Sequence, residues 1–411
     1  MTREPRSEAP VKSELLRACD RVEKQVISMR RVLHSIPEAS FGEKKTQAQI
    51  VAFLEKAGIA HKSGLAGTGV SGLIKVGGGR GGGKVRTIGL RADMDALNLT
   101  ESTGLPFASK HKGYMHACGH DAHMAVMLGV AMALKALGNR LPGNVRLIFQ
   151  PAEETPPGGA LGMIKAGVLR SPRVDAVIGV HVDPVLPAGM VGINAGPISA
   201  AADDFYVRIM GKAGHGSSPH RGIDAIAVAA QFITALQNVV SRRVSALDSV
   251  VVSIGRISGG QKHNIIADEV EMEGTVRTRK ADLRRQVPAM IREVLRGTCA
   301  AFGARGEFTY LKGYPAVVCD RALTERVRTW CSELLGKGRV VRTPGLEMGG
   351  EDFAYFARKV PGTFMLLGVG NPRKGKTALL HHPRFDIDED ALKIGVRTIA
   401  YSAYRYLADG R

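Results

Sequence analysis

Four times along this chain, a short apolar run of strand length ends in side chains that can bind a metal or move a proton. Thr87-Ile-Gly-Leu-Arg91 leads into Asp93 and Asp95, and Val145-Arg-Leu-Ile-Phe149 leads into Gln150-Pro-Ala-Glu153-Glu154. Ala176-Val-Ile-Gly-Val180 leads into His181, and Thr363-Phe-Met-Leu-Leu-Gly-Val369 precedes a Gly/Lys-rich loop and then His381-His382-Pro383. Between these runs lie helical patterns. Val22, Val26, Met29 and Leu33 recur at helical spacing within 14–33, Pro37 stops that pattern, and a second helix is expected over 43–57, ended by Gly58. Apolar strands that each deliver a polar loop, with helices between, specify an α/β fold with a mostly parallel sheet. Ligands in such sheets gather at the carboxyl ends of the strands.

The pattern changes between about 197 and 314. A strand is expected over 204–210, a helix over 223–240, strands over 249–257 and 269–277, a helix over 281–301 and a last strand over 307–311. That order, β-α-β-β-α-β, is the ferredoxin-like α+β arrangement. Because single cores usually divide beyond roughly 250–300 residues, a chain of 411 residues is expected to hold two domains. The expectation is a catalytic domain from 1–196 and 313–411, with a smaller domain inserted at 197–312. The glycine-rich stretch at 77–83 lacks the Gly-Lys-Ser/Thr of a phosphate loop and reads as a flexible hairpin connection.

Composition excludes several classes. No apolar run approaches the ~18 residues of a membrane helix, so a soluble protein without a membrane partner is expected. The charged first ten residues lack the apolar core of a secretory signal, and five scattered cysteines show no disulfide spacing. Both point to a reducing cytoplasm. A net charge of +19 invites a nucleic-acid reading, but the basic residues are spread along the chain and aromatics make up only 5%. No nucleic-acid motif accompanies them, so the charge is read as a surface that attracts anionic small molecules.

The densest chemistry is His116-Ala-Cys118-Gly-His120-Asp121-Ala-His123. A thiolate with imidazoles suits zinc and related borderline ions. Residues i and i+2 lie ~200° apart on a helix, so Cys118 and His120 can bind together only where the chain turns at Gly119. Asp121 could then cap a helix expected over 124–137. Adjacent side chains of an extended Glu153-Glu154 point apart, letting one carboxylate bind metal while the other faces a water molecule. A lone His181 after a strand could equally be a satisfied core residue, as could either member of the pair at 381 and 382. Taken together, Cys118, His120, a Glu of the pair, His181 and one of His381 and His382 make five mixed S/N/O ligands. That is too many for one tetrahedral zinc and suits two ions with a shared bridging group.

Arg-Ala-Asp-Met-Asp-Ala-Leu (91–97), His-Ala-Cys-Gly-His-Asp-x-His (116–123), Phe-Gln-Pro-Ala-Glu-Glu (149–154) and Met-Gly-Gly-Glu-Asp-Phe (348–353) resemble the M20 metallopeptidase clan. Within it they are most similar to the amidohydrolase branch of hippurate hydrolases, N-acyl-amino-acid deacylases and auxin-conjugate hydrolases. The resemblance spans roughly 20–405 and implies a zinc-peptidase-like catalytic domain with an inserted ferredoxin-like lid that often mediates homodimerisation. It implies two divalent ions (zinc, manganese, cobalt or nickel) on Cys118, His120, Glu154, His181 and His381, with Glu153 as general base. The histidine after the leucine of Leu-His-x-Pro is the family's ligand, which selects His381. His382, where the family commonly has Asn or Ser, is the departure. From the lid, His215 or His220 of Gly-His-Gly-Ser-Ser-Pro-His would stabilise the oxyanion, often from the partner subunit. Asn264, Arg277, Gly349 and Gly350 would contact substrate, while Asp93 and Asp95 would orient ligands from behind. The implied reaction is hydrolysis of a small-molecule N-acyl-amino acid. The rivals are a dipeptidase or aminopeptidase of the same clan and a non-catalytic basic binding protein, the latter requiring an incomplete ligand set.

Overall fold

The computed structural model describes residues 9–76, 85–343 and 345–409. The chain forms two compact units, one of residues 1–196, 318–345 and 352–411, the other of 197–317 and 346–351. Segment 346–351 thus clusters with the smaller unit. The glycine-rich stretch expected to be a hairpin connection and most of the charged N-terminus lie outside the described residues. Strands Gly69–Ile74 and Thr87–Asp93, which flank that stretch, are not sheet neighbours, because Asn144–Gln150 lies between them.

The larger unit is built on an eight-stranded mixed sheet. Its four central strands, in spatial order Asn144–Gln150, Thr87–Asp93, Ala176–Pro187 and Gly362–Gly370, are parallel. These are the four runs that carry reactive loops. From Thr87–Asp93 the chain crosses to one neighbour and then returns to the other side, so the strand order reverses at Asp93. Such a reversal opens a crevice at the carboxyl ends of the strands. Strand Ala176–Pro187 runs past His181 because its second half still pairs with Gly362–Gly370, leaving His181 inside a strand and not after one.

The helix His120–Lys135 begins inside the histidine-rich stretch 116–123. Fourteen of its sixteen residues are buried, which marks a core helix and not a one-faced surface helix. It packs against Glu23–His34 and Asp390–Ala408. The single helix expected over 14–33 is two, Ala9–Arg21 and Glu23–His34, divided at Val22. Asp121 does not cap the long helix. The helix opens one residue earlier, after Gly119 at φ 85°, and Asp121 sits in its first turn bonded to other groups.

The smaller unit is a four-stranded antiparallel sheet in the order Val250–Gly259, Glu269–Thr278, Ala201–Met210, Arg305–Lys312. Helices Ala225–Asn238 and Ala281–Ala301 pack on each other and on the sheet. The chain order β-α-β-β-α-β on this sheet is ferredoxin-like. Phe205, Phe232, Val276 and Ile291 lie in its separate apolar core.

Candidate metal centre

Gly119 sets the geometry of the central loop. Its left-handed backbone carries the chain from Cys118 into the helix, and a Cβ there would fall 2.4 Å from Val182 Cγ2. Glycine adopts that conformation at no steric cost, and only glycine fits so close to the neighbouring strand. Cys118 Sγ consequently lies 3.3 Å from His181 Nε2.

Hydrogen-bond partners assign the ring nitrogens of His120, His181 and His123. His120 Nδ1 donates to the Asp95 carbonyl (2.8 Å), and His181 Nδ1 donates to the Val182 carbonyl (2.7 Å). Both rings therefore present Nε2 to the crevice, as a metal ligand whose other nitrogen is fixed by a carbonyl would. His123 is engaged on both sides. Its Nδ1 donates to Asp93 Oδ1 (2.6 Å), while the Val182 amide donates to its Nε2 (2.8 Å), so it fixes the loop and the strand together.

The carboxylates arrive from the loop after Asn144–Gln150. Asp95 accepts the Glu153 amide on Oδ1 and the Glu154 amide on Oδ2, both at 3.0 Å. Glu154 Oε1 comes to 3.8 Å from His120 Nε2 and 3.6 Å from His381 Nε2. His381 is the exposed member, 54% accessible, on a left-handed residue at φ 63°. His382 turns away and accepts the Arg384 amide on Nδ1 (3.1 Å). Ligand atoms of Cys118, His120 and His181 lie within 4.8 Å of one another, as do those of Cys118, Glu154 and His381, and those of His120, Glu153 and Glu154. Cys118 belongs to two of these groups.

Two tests ask whether these residues fit a cation. His120 Nε2 and Glu154 Oε1 are buried and have no hydrogen-bond partner. Such atoms are costly to bury unless something satisfies them. The carboxylates also place Cys118 and His120 in a negative field. Burial, then Glu154 and Glu153, push the Cys118 thiol well above its ordinary range, and burial raises Glu154. Burial disfavours a charged His120, yet Asp93, Asp95 and Glu154 outweigh it and raise the ring to about 10. By contrast, burial and then His123 push His181 down to about 3, keeping it neutral and able to bind metal. The residues fit divalent ions.

A second shell of buried charge holds this geometry. Arg91 bonds Gln150 Oε1 (2.9 Å), Asp93 Oδ2 (2.7 Å) and Asp352 Oδ1 (3.0 Å), tying two strand ends to the turn before helix Ala354–Ala357. Arg30 bonds Asp121 (2.8 Å) and Asp386 (2.9 Å), linking the loop of His120 to the segment after His381. His116 is buried with no hydrogen-bond partner on either nitrogen, and burial lowers it to about 4. Arg30, His34 and Glu43 escape a reading of the sequence, in which each is one more charged residue in or beside an amphipathic helix.

The residues singled out in the smaller unit form two groups. His215 pairs with Ile265, and the Gly216 amide donates to the Asn264 carbonyl (2.8 Å), so His215 and Asn264 share one edge, with His220 on the same exposed loop. Arg277 lies opposite Ala202, and a Cβ on Gly350 would fall 3.6 Å from its guanidinium, so Arg277 and Gly349-Gly350 form the second group. The strand Ala201–Met210 separates them. Its eight steps from Ala202 to Met210 span about 27 Å at 3.4 Å per residue.

Comparison with known proteins agrees with this geometry. The model for peptidase family M20/M25/M40 matches residues 89–405. An N-acetyl-L-cysteine deacetylase of Bacillus subtilis is 42% identical over 94% of this chain and 89% of its own length. An N-acyl-L-amino acid amidohydrolase of Geobacillus stearothermophilus is 44% identical over 75% of this chain and 81% of its own. Among solved structures, the Bacillus subtilis YXEP protein, a dinuclear metal-binding peptidase from the M20 family, superposes with a TM-score of 0.82. It is 39% identical, covering 95% of this chain and 99% of that one. No described helix is long and apolar enough to cross a membrane. A matched model over most of the chain, relatives of this identity and a ligand-rich crevice at the strand ends together make the chain a member of the M20/M25/M40 peptidase family, an amide-cleaving hydrolase.

Proposed function

We propose that this enzyme hydrolyses the amide bond of N-acyl-amino acids, hippurate-like or N-acetylated, at a centre holding two divalent ions. The observation that carries the reading is the pair of buried atoms without a hydrogen bond, His120 Nε2 and Glu154 Oε1, at the meeting point of three groups of ligand atoms. Cys118, His120 and His181 would hold one ion, and Cys118, Glu154 and His381 the other, with zinc, manganese, cobalt and nickel all suited to the donor set. Bound there, such ions supply Lewis acidity, making a water molecule more acidic and polarising the scissile carbonyl.

The chain's own residues do the rest. Glu153, whose amide is fixed by Asp95, takes the proton of the attacking water and returns it to the departing amino nitrogen. Asp93 and Asp95 orient the loops from behind. In the smaller unit, Arg277 would grip the substrate carboxylate bidentately, beside Gly349 and Gly350. His215 or His220 would serve the oxyanion, and Asn264 would contact substrate. By the family resemblance these residues would act from a partner subunit, with the smaller unit as the homodimer contact. Five buried free thiols favour a reducing cytoplasm.

The relatives named for deacylation support an N-acyl-amino acid over a free dipeptide. Glu153→Ala is expected to lower kcat by about 10²–10⁴-fold with metal content unchanged. Near-normal turnover would remove Glu153 from the mechanism. A panel of N-acetyl- and N-benzoyl-amino acids against unblocked dipeptides, assayed after metal stripping and reloading, tests the substrate class. Preference for the dipeptides would reverse the assignment.

A further inference from the structure

We infer that Glu43 is a positioning residue for the Glu153-Glu154 pair, acting through the amide of Ala152. The inference rests on the roles proposed for that pair. Ala152 is left-handed at φ 52°, a conformation that strains any residue but glycine. Its amide donates to Glu43 Oε1 at 2.8 Å, and its carbonyl accepts the Gly159 amide at 3.2 Å. Phe41, a second left-handed residue (φ 62°), donates its amide to the same Oε1 at 3.0 Å. The other carboxylate oxygen accepts the Thr68 hydroxyl, and Gln47 Nε2 holds the Thr68 carbonyl at 2.8 Å.

The consequence falls on three consecutive amides. Ala152 is held by Glu43, while Glu153 and Glu154 are held by Asp95, so a buried carboxylate fixes every peptide that aims the two glutamates. The approach is constrained as well. A Cβ on Gly69 would fall 2.9 Å from Pro151 Cδ, and one on Gly159 would fall 2.1 Å from the Pro151 carbonyl oxygen. Glu43 itself is fully buried. Its carboxylate stays in the interior because the left-handed turn needs an acceptor there.

The test measures kcat, KM and Mn²⁺ affinity by calorimetry, on wild type, Glu43→Ala, Glu43→Gln and Thr68→Val. Glu43→Ala should lose about 10–100-fold in kcat and a similar factor in Mn²⁺ affinity, the range typical of groups that orient metal ligands, with KM within about threefold. Glu43→Gln keeps an acceptor for both amides and should stay within about threefold of wild type. Glycine takes a positive φ freely, so Ala152→Gly added to Glu43→Ala should recover part of the loss, a non-additivity that a packing role would not produce. Wild-type kcat and affinity in Glu43→Ala, or strictly additive losses, overturn the inference. If Glu43→Ala does not fold, Thr68→Val decides: a smaller loss in the same direction supports the inference and wild-type behaviour overturns it. Glu153→Ala run in parallel separates the two ideas, since retained turnover there defeats the general base while the effect of Glu43 on Mn²⁺ affinity still reads its own role.

Discussion

His34 lies beneath the central loop, its Nδ1 2.8 Å from Asp121 and its Nε2 3.2 Å from Glu101. Burial works against its charge, but the Asp121 and Glu101 carboxylates prevail and lift it to about 9. A histidine raised above its unfolded value near 6.5 stabilises the fold fully below that pH and loses the contribution as pH climbs through the folded value. The loss between about pH 6.5 and 9 is on the order of 3 kcal/mol. Urea unfolding at pH 6, 8 and 10 should show this decline in wild type and a flatter profile in His34→Gln; parallel profiles would contradict it. His34 also shows what a sequence conceals. Cys118, His120, Glu154, His181 and the pair at 381 and 382 stand out in the sequence because each sits beside other reactive groups or follows an apolar run, and the resemblance alone chooses His381. His34, Arg30 and Glu43 have no such local signal, and Arg30 meets Asp386 across 356 positions of chain.

Among the elements, the helix His120–Lys135 carries the most. At its middle, Gly129 lets two neighbouring helices approach, since a Cβ there would fall 2.5 Å from Val26 Cγ2 and 2.8 Å from Val396 Cγ2. Gly129→Val is therefore expected to destabilise the protein by about 1–3 kcal/mol through overpacking, against any gain in helix propensity. A denaturation midpoint at or above wild type would refute this. The central strands were legible because buried parallel strands are continuous apolar runs. Their order was not, because pairing Gly69–Ile74 with Asn144–Gln150 is a long-range choice that leaves no local trace. The start of the helix was misjudged for a similar reason. His120, Asp121 and His123 are polar yet buried, bonded to Asp95, Arg30, Asp93 and Val182 from elsewhere in the chain.

At the scale of the whole molecule, two apolar cores share one chain. Phe232 is fully buried in the core of the smaller unit, and none of the metal-centre residues belongs to that core. Phe232→Ala should cost about 3–5 kcal/mol of stability while leaving metal stoichiometry at wild-type values below the unfolding transition. Loss of metal in parallel with stability would show that the cores are not independent. The division itself was legible, since the change from strand-loop-helix alternation to β-α-β-β-α-β order marks a new unit near 197. The recruitment of 346–351 to the smaller unit had no local signal.

The ligand-bearing backbone is tied down by bonds that need no ion: His120 to the Asp95 carbonyl, His181 to the Val182 carbonyl, and the Glu153 and Glu154 amides to Asp95. A zinc finger, in contrast, closes around its metal as it folds. Bonds of this kind would hold the crevice without an ion, so emptying and refilling it is expected to be an exchange of contents and not a collapse and rebirth of the fold. Which ion occupies such a crevice is then decided by supply in the surroundings as much as by the protein.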